Sequence, residues 1–419
     1  MFSLAWKRFL RRAFSDILHM KKTVQTLIEA MDTLPKKKLM RTLVSAEQVS
    51  IPELACNAKM SVPTATKIVN ELIEKHFLVE LGKHDNGLGR VPMMYGLNPT
   101  CGYFLGVNPC LNALNLCLAD FAGEIKDVRM GIPFHLDNTP EGFNQLCKLT
   151  KSYIHEKGLD EGRLFKACVN ISGCVSLHTG SSYSTFAFED NLADSFTEQL
   201  GVSTHIDNDT RAMTYGEYTK GRAAGTKNAL FINVSWGIGM GIIVNGNLYT
   251  GKSGFSGEIG HMPYFQNEIL CHCGKKGCLE TEVSGSALLR IVKERLANGE
   301  LSLLSRKAKE SELTLTDILD ALDKEDTLCI DSINQMGEKL GKFLSGMINI
   351  FNPEKLIIGG ELSRDGGYIT QTVRTSIKKY VLHLVSEDSA IETSQLQEKA
   401  EVIGAAMIAR SKLFINGYL

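Results

Sequence analysis

Residues 271–280 read CHCGKKGCLE, with three cysteines and two glycines in eight positions and a glutamate behind them. Thiolates this closely spaced suit tetrahedral Zn2+. Gly274 and Gly277 permit the tight turns that aim Cys271, Cys273 and Cys278 at one point. Lys275 and Lys276 sit on the knuckle, where they offset excess thiolate charge. The clip poses a question of role: the metal either reacts or holds something else in place. Upstream lies GEIGH, in which Glu258 and His261 are three positions apart. On one helical turn, that spacing turns both side chains the same way.

The elements that must position these residues belong to a chain of 419 residues, enough for two or three domains. Its 43% apolar and 22% charged residues are those of a globular protein with room for real cores. No apolar run is long enough to span a membrane, so none is expected. Eleven cysteines, an odd number scattered mostly in apolar runs, argue against a disulfide framework and for a reducing cytoplasm. Charge is uneven. Residues 1–98 hold 15 Lys and Arg against 9 Asp and Glu, which leaves 31 against 38 for the remainder. A basic N-terminal module on an acidic body implies an anionic partner for the first part alone.

That first part has its own pattern. Ile51–Ala58 forms a short helix with Leu54 and Ala55 inward, followed by a turn over residues 59–61. Ser61 is an N-cap with Pro63 in the first turn of a second helix. Ala65, Ile68, Val69 and Leu72 recur at i, i+3, i+4, i+7 and make its apolar face. Ser61, Thr64, Thr66, Lys67 and Asn70 are left to contact phosphates and base edges in a major groove. Two strand-like pieces, FLVELG and MMYGLN, flank the Gly-rich basic tip KHDNGLGRVP, which presents Arg90 to phosphate or the minor groove. Helix, turn, helix and hairpin describe a winged helix-turn-helix over residues 1–97, headed by an N-terminal helix and bound to DNA.

Beyond Tyr103 the pattern changes to strand clusters with helices between them: YFLGVNPCLNALNLCLADFAGEI, ACVNISGCVSLHTG, ALFINVSWGIGMGIIVNGNLYTG and KLIIGGELS. This implies an α/β body of two similar lobes, residues 98–222 and 223–419, with a C-terminal helix returning towards the first. The clip C-x-C-G-x-x-G-C-x-E behind GEIGH resembles the ROK family of repressors, open reading frames and kinases. IDNDTRAMTYGEY resembles that family's sugar-site segment. With the winged helix in front, the resemblance is to sugar-responsive repressors of the NagC/XylR type.

The resemblance implies an actin-like, ribonuclease H-like ATPase-type fold. It implies a sugar site of Asn208, Asp209, Glu258, His261 and Glu280, and a structural Zn2+ held by His261, Cys271, Cys273 and Cys278. Four protein ligands leave no open position for an activated water, so zinc orients His261 and does not react. Asp209 stands at the base position of the family's kinases. Their phosphate loops are altered here: LGVNPCLN has Asn108, Pro109 and Cys110 where the pattern is D-x-G, and Ser235–Gly239 carries Trp236 where a small hydroxyl residue belongs, so that the indole fills the phosphate space. The expected function is a non-catalytic, sugar- or amino-sugar-responsive repressor, a homodimer or homotetramer on operator DNA. The alternatives are an ATP-dependent sugar kinase with an added N-terminal domain and an assembly protein with a vestigial sugar site.

Overall fold

The computed structural model describes residues 33–46, 48–83, 92–159, 162–177, 179–364 and 367–414. Arg90 and the N-terminal helix expected over the first residues lie outside them. The described chain divides into two compact units. One comprises residues up to Gly173, Thr179–Asp207 and the chain from Ala405; the other comprises the chain from Cys174 to residue 178 and Asn208–Gly404.

The first unit opens with helix α1 (Leu34–Ser45), strand β1 (Val49–Ser50), helices α2 (Ile51–Asn57) and α3 (Val62–Glu74), and strands β2 (Leu78–Lys83) and β3 (Met93–Leu97). Ser50 starts α2 with a capping box to Glu53. Ser61 starts α3, its side chain accepting from the Thr64 amide. Ala65, Ile68, Val69 and Leu72 are buried, as their spacing requires. Lys36 of α1 and Lys75 both pair with Glu71 of α3, at 2.8 and 2.9 Å. The three strands form an antiparallel sheet in the order β1–β3–β2.

The same unit holds a five-stranded sheet built from β4 (Tyr103–Cys110), β5 (Ala113–Asp120), β6 (Ile125–Pro133), β7 (Leu164–Ile171) and β8 (Thr204–Asn208), ordered β8–β7–β4–β5–β6. The first three are antiparallel neighbours, whereas β4 runs parallel to β7. Pro109 sits inside β4 opposite Leu114. Helices α4 (Pro140–Glu156) and α5 (Leu192–Leu200) belong to this unit. Phe121 lies at the centre of an aromatic cluster, with ring centroids 6.2 Å from Phe77, 5.6 Å from Phe165 and 5.3 Å from Phe414. Phe77 lies between α3 and β2, so the N-terminal module and this sheet share a core.

The second unit holds α6 (Asp209–Lys220) and a sheet of β9 (Ala229–Val234), β10 (Ile238–Val244), β11 (Asn247–Leu248), β12 (Lys355–Gly359) and β13 (Ala390–Thr393), ordered β11–β10–β9–β12–β13. The first pairs are antiparallel and the last two parallel. Helices α7 (Gly285–Ala297), α8 (Leu315–Leu322), α9 (Thr327–Phe351) and α10 (Tyr368–Ile377) bury Leu288, Ile318, Met336 and Val373 in one cluster with Leu230 and Ile232 of β9. Helix α6 lies close on β10: a side chain at Gly239 or Gly241 would collide with Thr210 or Thr214. Gly404 of α11 (Ala400–Phe414) likewise admits the Ala212 carbonyl of α6. This packing sets the division of the body after Asp207 rather than the expected residue 222, because α6 packs with the second sheet. The division runs through α11, after Gly404.

Candidate functional site

The expected sugar-site residues stand on three segments of the second unit. The first is the start of α6. Asn208 is its N-cap and accepts from the Arg211 amide at 3.1 Å. Asp209 Oδ1 accepts from the Thr210 amide at 2.5 Å and from its hydroxyl at 3.2 Å. Arg211 is buried and its guanidinium donates to the Gly254 carbonyl.

That carbonyl belongs to the second segment, the loop leading to Glu258. Gly251, Gly254 and Gly257 take φ of 69°, 94° and 87° there, values costly for any other residue. A side chain at Gly257 would strike the Met240 carbonyl, so glycine lets the loop run against β10. Glu258 and His261 do share a turn, but a tight 310 one over Ile259–His261 that Glu258 precedes. Burial pushes the Glu258 carboxyl up from its ordinary range. His261 and Arg211 pull it down, and Asp209 and Glu280 push it up. Four of the five expected residues, Asp209, Glu258, His261 and Glu280, therefore share one electrostatic neighbourhood, and Asn208 adjoins it as the residue before Asp209.

The third segment is the clip. The Cys271 amide donates to the Lys275 carbonyl at 2.8 Å and the Gly274 amide to the Cys271 carbonyl at 2.9 Å, closing the knuckle. Gly274 and Gly277 have φ of 83° and 72°, as the turns demand. Lys276 is engaged with Glu268 at 2.5 Å. Cys271 Sγ lies 3.6 Å from His261 Nδ1, and Cys273 Sγ lies 3.7 Å from Cys278 Sγ. Metal–sulfur bonds of ~2.3 Å and metal–nitrogen bonds of ~2.0 Å at tetrahedral angles give ligand separations of about 3.5–3.8 Å. Both separations match donors of one tetrahedral ion; His261, Cys271 and Cys273 form a cluster of possible metal donors within 4.8 Å of one another, a group that does not include Cys278.

Glu280 joins clip to site. It is buried in a 310 turn, with Oε1 3.6 Å from Cys271 Sγ, and Oε2 accepts from the Ile238 amide at 3.4 Å. A residue not singled out in the sequence, His272, places Nδ1 2.8 Å from Glu280 Oε1. With His261 and Glu280 it makes a second cluster of possible metal donors. Its place between two cysteines was the available signal. Trp236 is 60% exposed. Ser235 is bonded internally: its amide donates to the Gly237 carbonyl at 3.0 Å, and its hydroxyl lies between Asn233 and the Glu361 amide.

The expected DNA contacts lie in the first unit. Thr64, Lys67 and Asn70 are exposed on α3. Ser61 and Thr64 hydroxyls are 2.8 Å apart at its start, and the Thr66 hydroxyl turns back onto the Val62 carbonyl at 2.9 Å.

Known proteins are similar to this chain in sequence and in fold. The xylose repressor of Bacillus subtilis strain 168 is 26% identical over 388 residues, covering 92% of this chain and 96% of its own. A crystal structure of a ROK family transcriptional regulator, a homologue of the Escherichia coli MLC protein, superposes with a TM-score of 0.75 at 25% identity, covering 90% of this chain and 95% of its own. A ROK family glucokinase from Streptomyces griseus, solved with glucose and AMPPNP, gives 0.63 at 25% identity; it covers 74% of this chain and 99% of its own. The fold is the actin-like one of these regulators and kinases. The ROK family profile matches residues 156–412, and the chain belongs to the ROK family.

Proposed function

We propose that this protein is a sugar-responsive transcriptional repressor. The observation that carries the reading is one of coverage. A whole ROK glucokinase accounts for 74% of the chain, whereas a ROK regulator accounts for 90% and the xylose repressor for 92%. What separates the two groups is a further module. Here α2, α3 and the β2–β3 hairpin have the order of a winged helix-turn-helix, and α3 turns Thr64, Lys67 and Asn70 to solvent. Operator DNA is its partner, and the protein acts in the cytoplasm as a homodimer or homotetramer. No described helix is long and apolar enough to cross a membrane.

Asn208, Asp209, Glu258, His261 and Glu280 receive the sugar or amino sugar, because carboxylates, an amide and an imidazole make directional bonds to hydroxyls. His261, Cys271, Cys273 and Cys278 hold a structural Zn2+, which would supply no reaction and fix the His261 ring. Phosphoryl transfer depends on positioning phosphates and metal. Pro109 inside β4 and the internally bonded Ser235 weigh against that and favour a non-catalytic body.

The test is gel-shift selection of an operator with the full chain, repeated with D-xylose, D-glucose and N-acetyl-D-glucosamine. A selected sequence whose affinity one sugar changes is expected. Lys67→Ala should weaken operator binding at least severalfold with sugar affinity intact. Sugar-dependent ATP turnover lost in Asp209→Asn would overturn the reading in favour of a kinase.

A further inference from the structure

A line of hydrogen bonds crosses the second unit from a backbone amide to Asp209. The Glu361 amide donates to Ser235 Oγ at 3.0 Å. An amide can only donate, so the Ser235 hydroxyl proton goes onward, to Asn233 Oδ1 at 2.7 Å. That orients the Asn233 side chain, whose Nδ2 donates to Thr210 Oγ1 at 2.9 Å. Thr210 Oγ1, now an acceptor, turns its own proton to Asp209 Oδ1 at 3.2 Å, beside the Thr210 amide at 2.5 Å. Every donor points the same way and the last acceptor is a carboxylate. Thr210 and Asn233 are buried, where an unmade bond is costly. Gly360 makes room for the line, since a side chain there would collide with Asn233 Oδ1.

We infer that Thr210, Asn233 and Ser235 are positioning residues that hold the Asp209 carboxylate in one orientation for its ligand. The inference rests on the reading of Asp209 as a sugar-binding residue. A carboxylate already set in place loses less freedom when a hydroxyl binds it, and that freedom would otherwise be subtracted from affinity. The line also commits the Ser235 hydroxyl, in the loop altered from the kinases' phosphate-loop pattern, to internal partners on the side of Asp209.

The test is calorimetric titration of D-xylose, D-glucose and N-acetyl-D-glucosamine into the full-length protein and its variants. Thr210→Val keeps the shape and removes the hydroxyl; it should raise the sugar Kd about fivefold to tenfold. Thr210→Ser restores the hydroxyl and should return Kd to within about twofold of wild type. Asp209→Asn separates the two ideas. If Asp209→Asn loses sugar while Thr210→Val binds as wild type, the positioning role is overturned and the sugar site stands. If Asp209→Asn binds normally, the sugar reading of Asp209 fails. A general structural role would lower the thermal midpoint of ligand-free Thr210→Val and leave Thr210→Ser unrescued in affinity; that pattern would also overturn the inference. Should none of the three sugars bind, crystal structures decide: Asp209 turned from Thr210 in the wild type, or unmoved in Thr210→Val, sinks it.

Discussion

At the scale of single residues, the clip makes the sharpest demand. Cys273 is the exposed thiol of the set, whereas Cys271 and Cys278 are buried. His272 offers a competing nitrogen, yet its side chain is 72% exposed and already paired with Glu280. If zinc takes His261, Cys271, Cys273 and Cys278, then Cys273→Ser should release the metal and His272→Ala should keep it. Metal content of the purified proteins checks this: about one Zn2+ per chain in wild type and His272→Ala, and well under half that in Cys273→Ser. Retention in Cys273→Ser with loss in His272→Ala would move the site to the second cluster. On the proposed reading, in which the metal would orient His261, loss of zinc should also weaken sugar binding.

At the scale of elements, α6 carries most of the positioning. It bears Asn208 at its cap, Asp209 and Thr210 in its first turn, and Glu217 in its last. Glu217 is wholly buried and accepts from the Ser394 hydroxyl at 2.6 Å and from the Leu396 and Arg222 amides at 2.7 Å each. Glu217→Ala would strand two backbone amides and a hydroxyl together. We expect a loss of roughly 2–4 kcal/mol in urea unfolding, with Glu217→Gln recovering part of it. An unchanged midpoint in Glu217→Ala would show that the anchor is dispensable.

Much at this scale was legible in the sequence. Ser61 and the apolar face of Ala65, Ile68, Val69 and Leu72 announced α3, because caps and a 3.6-residue period act locally. The apolar runs announced β4, β5, β9, β10 and β12 in the same way. What stayed hidden depends on residues far apart in the chain. Thr210 and Arg211 are single letters after the Asn208–Asp209 pair and carry no local period or motif. Their partners Asn233, Ser235, Glu361 and Gly254 meet them through sheet register and loop path, which no short window encodes. The boundary at Asp207 was missed for a related reason. Helix α6 has little apolar asymmetry of its own, and the glycines that let it approach β10 and α11 read as neutral letters.

At the scale of the whole molecule, the proposed sugar site and the proposed DNA-binding helix lie in different units of one chain, Asp209 in the second and α3 in the first. Thermodynamic linkage constrains their communication whatever path it takes. If saturating sugar changes operator affinity by some factor, saturating operator must change sugar affinity by the same factor, since both routes reach one ternary complex. For a regulator of this kind the factor is expected to be roughly 5–150-fold. Two titrations measure it independently: operator binding by fluorescence anisotropy with and without the sugar, and sugar binding by calorimetry with and without a duplex operator. Agreement within error identifies direct coupling in this chain. Two separate binding events with a factor of one in both titrations would mean that the sugar is no effector. Thr210→Val adds a last constraint, because it alters the proposed sugar site in the second unit, whereas α3 belongs to the first. It should weaken sugar binding and leave the sugar-free operator Kd unchanged, so that any loss of response is recovered at higher sugar concentration.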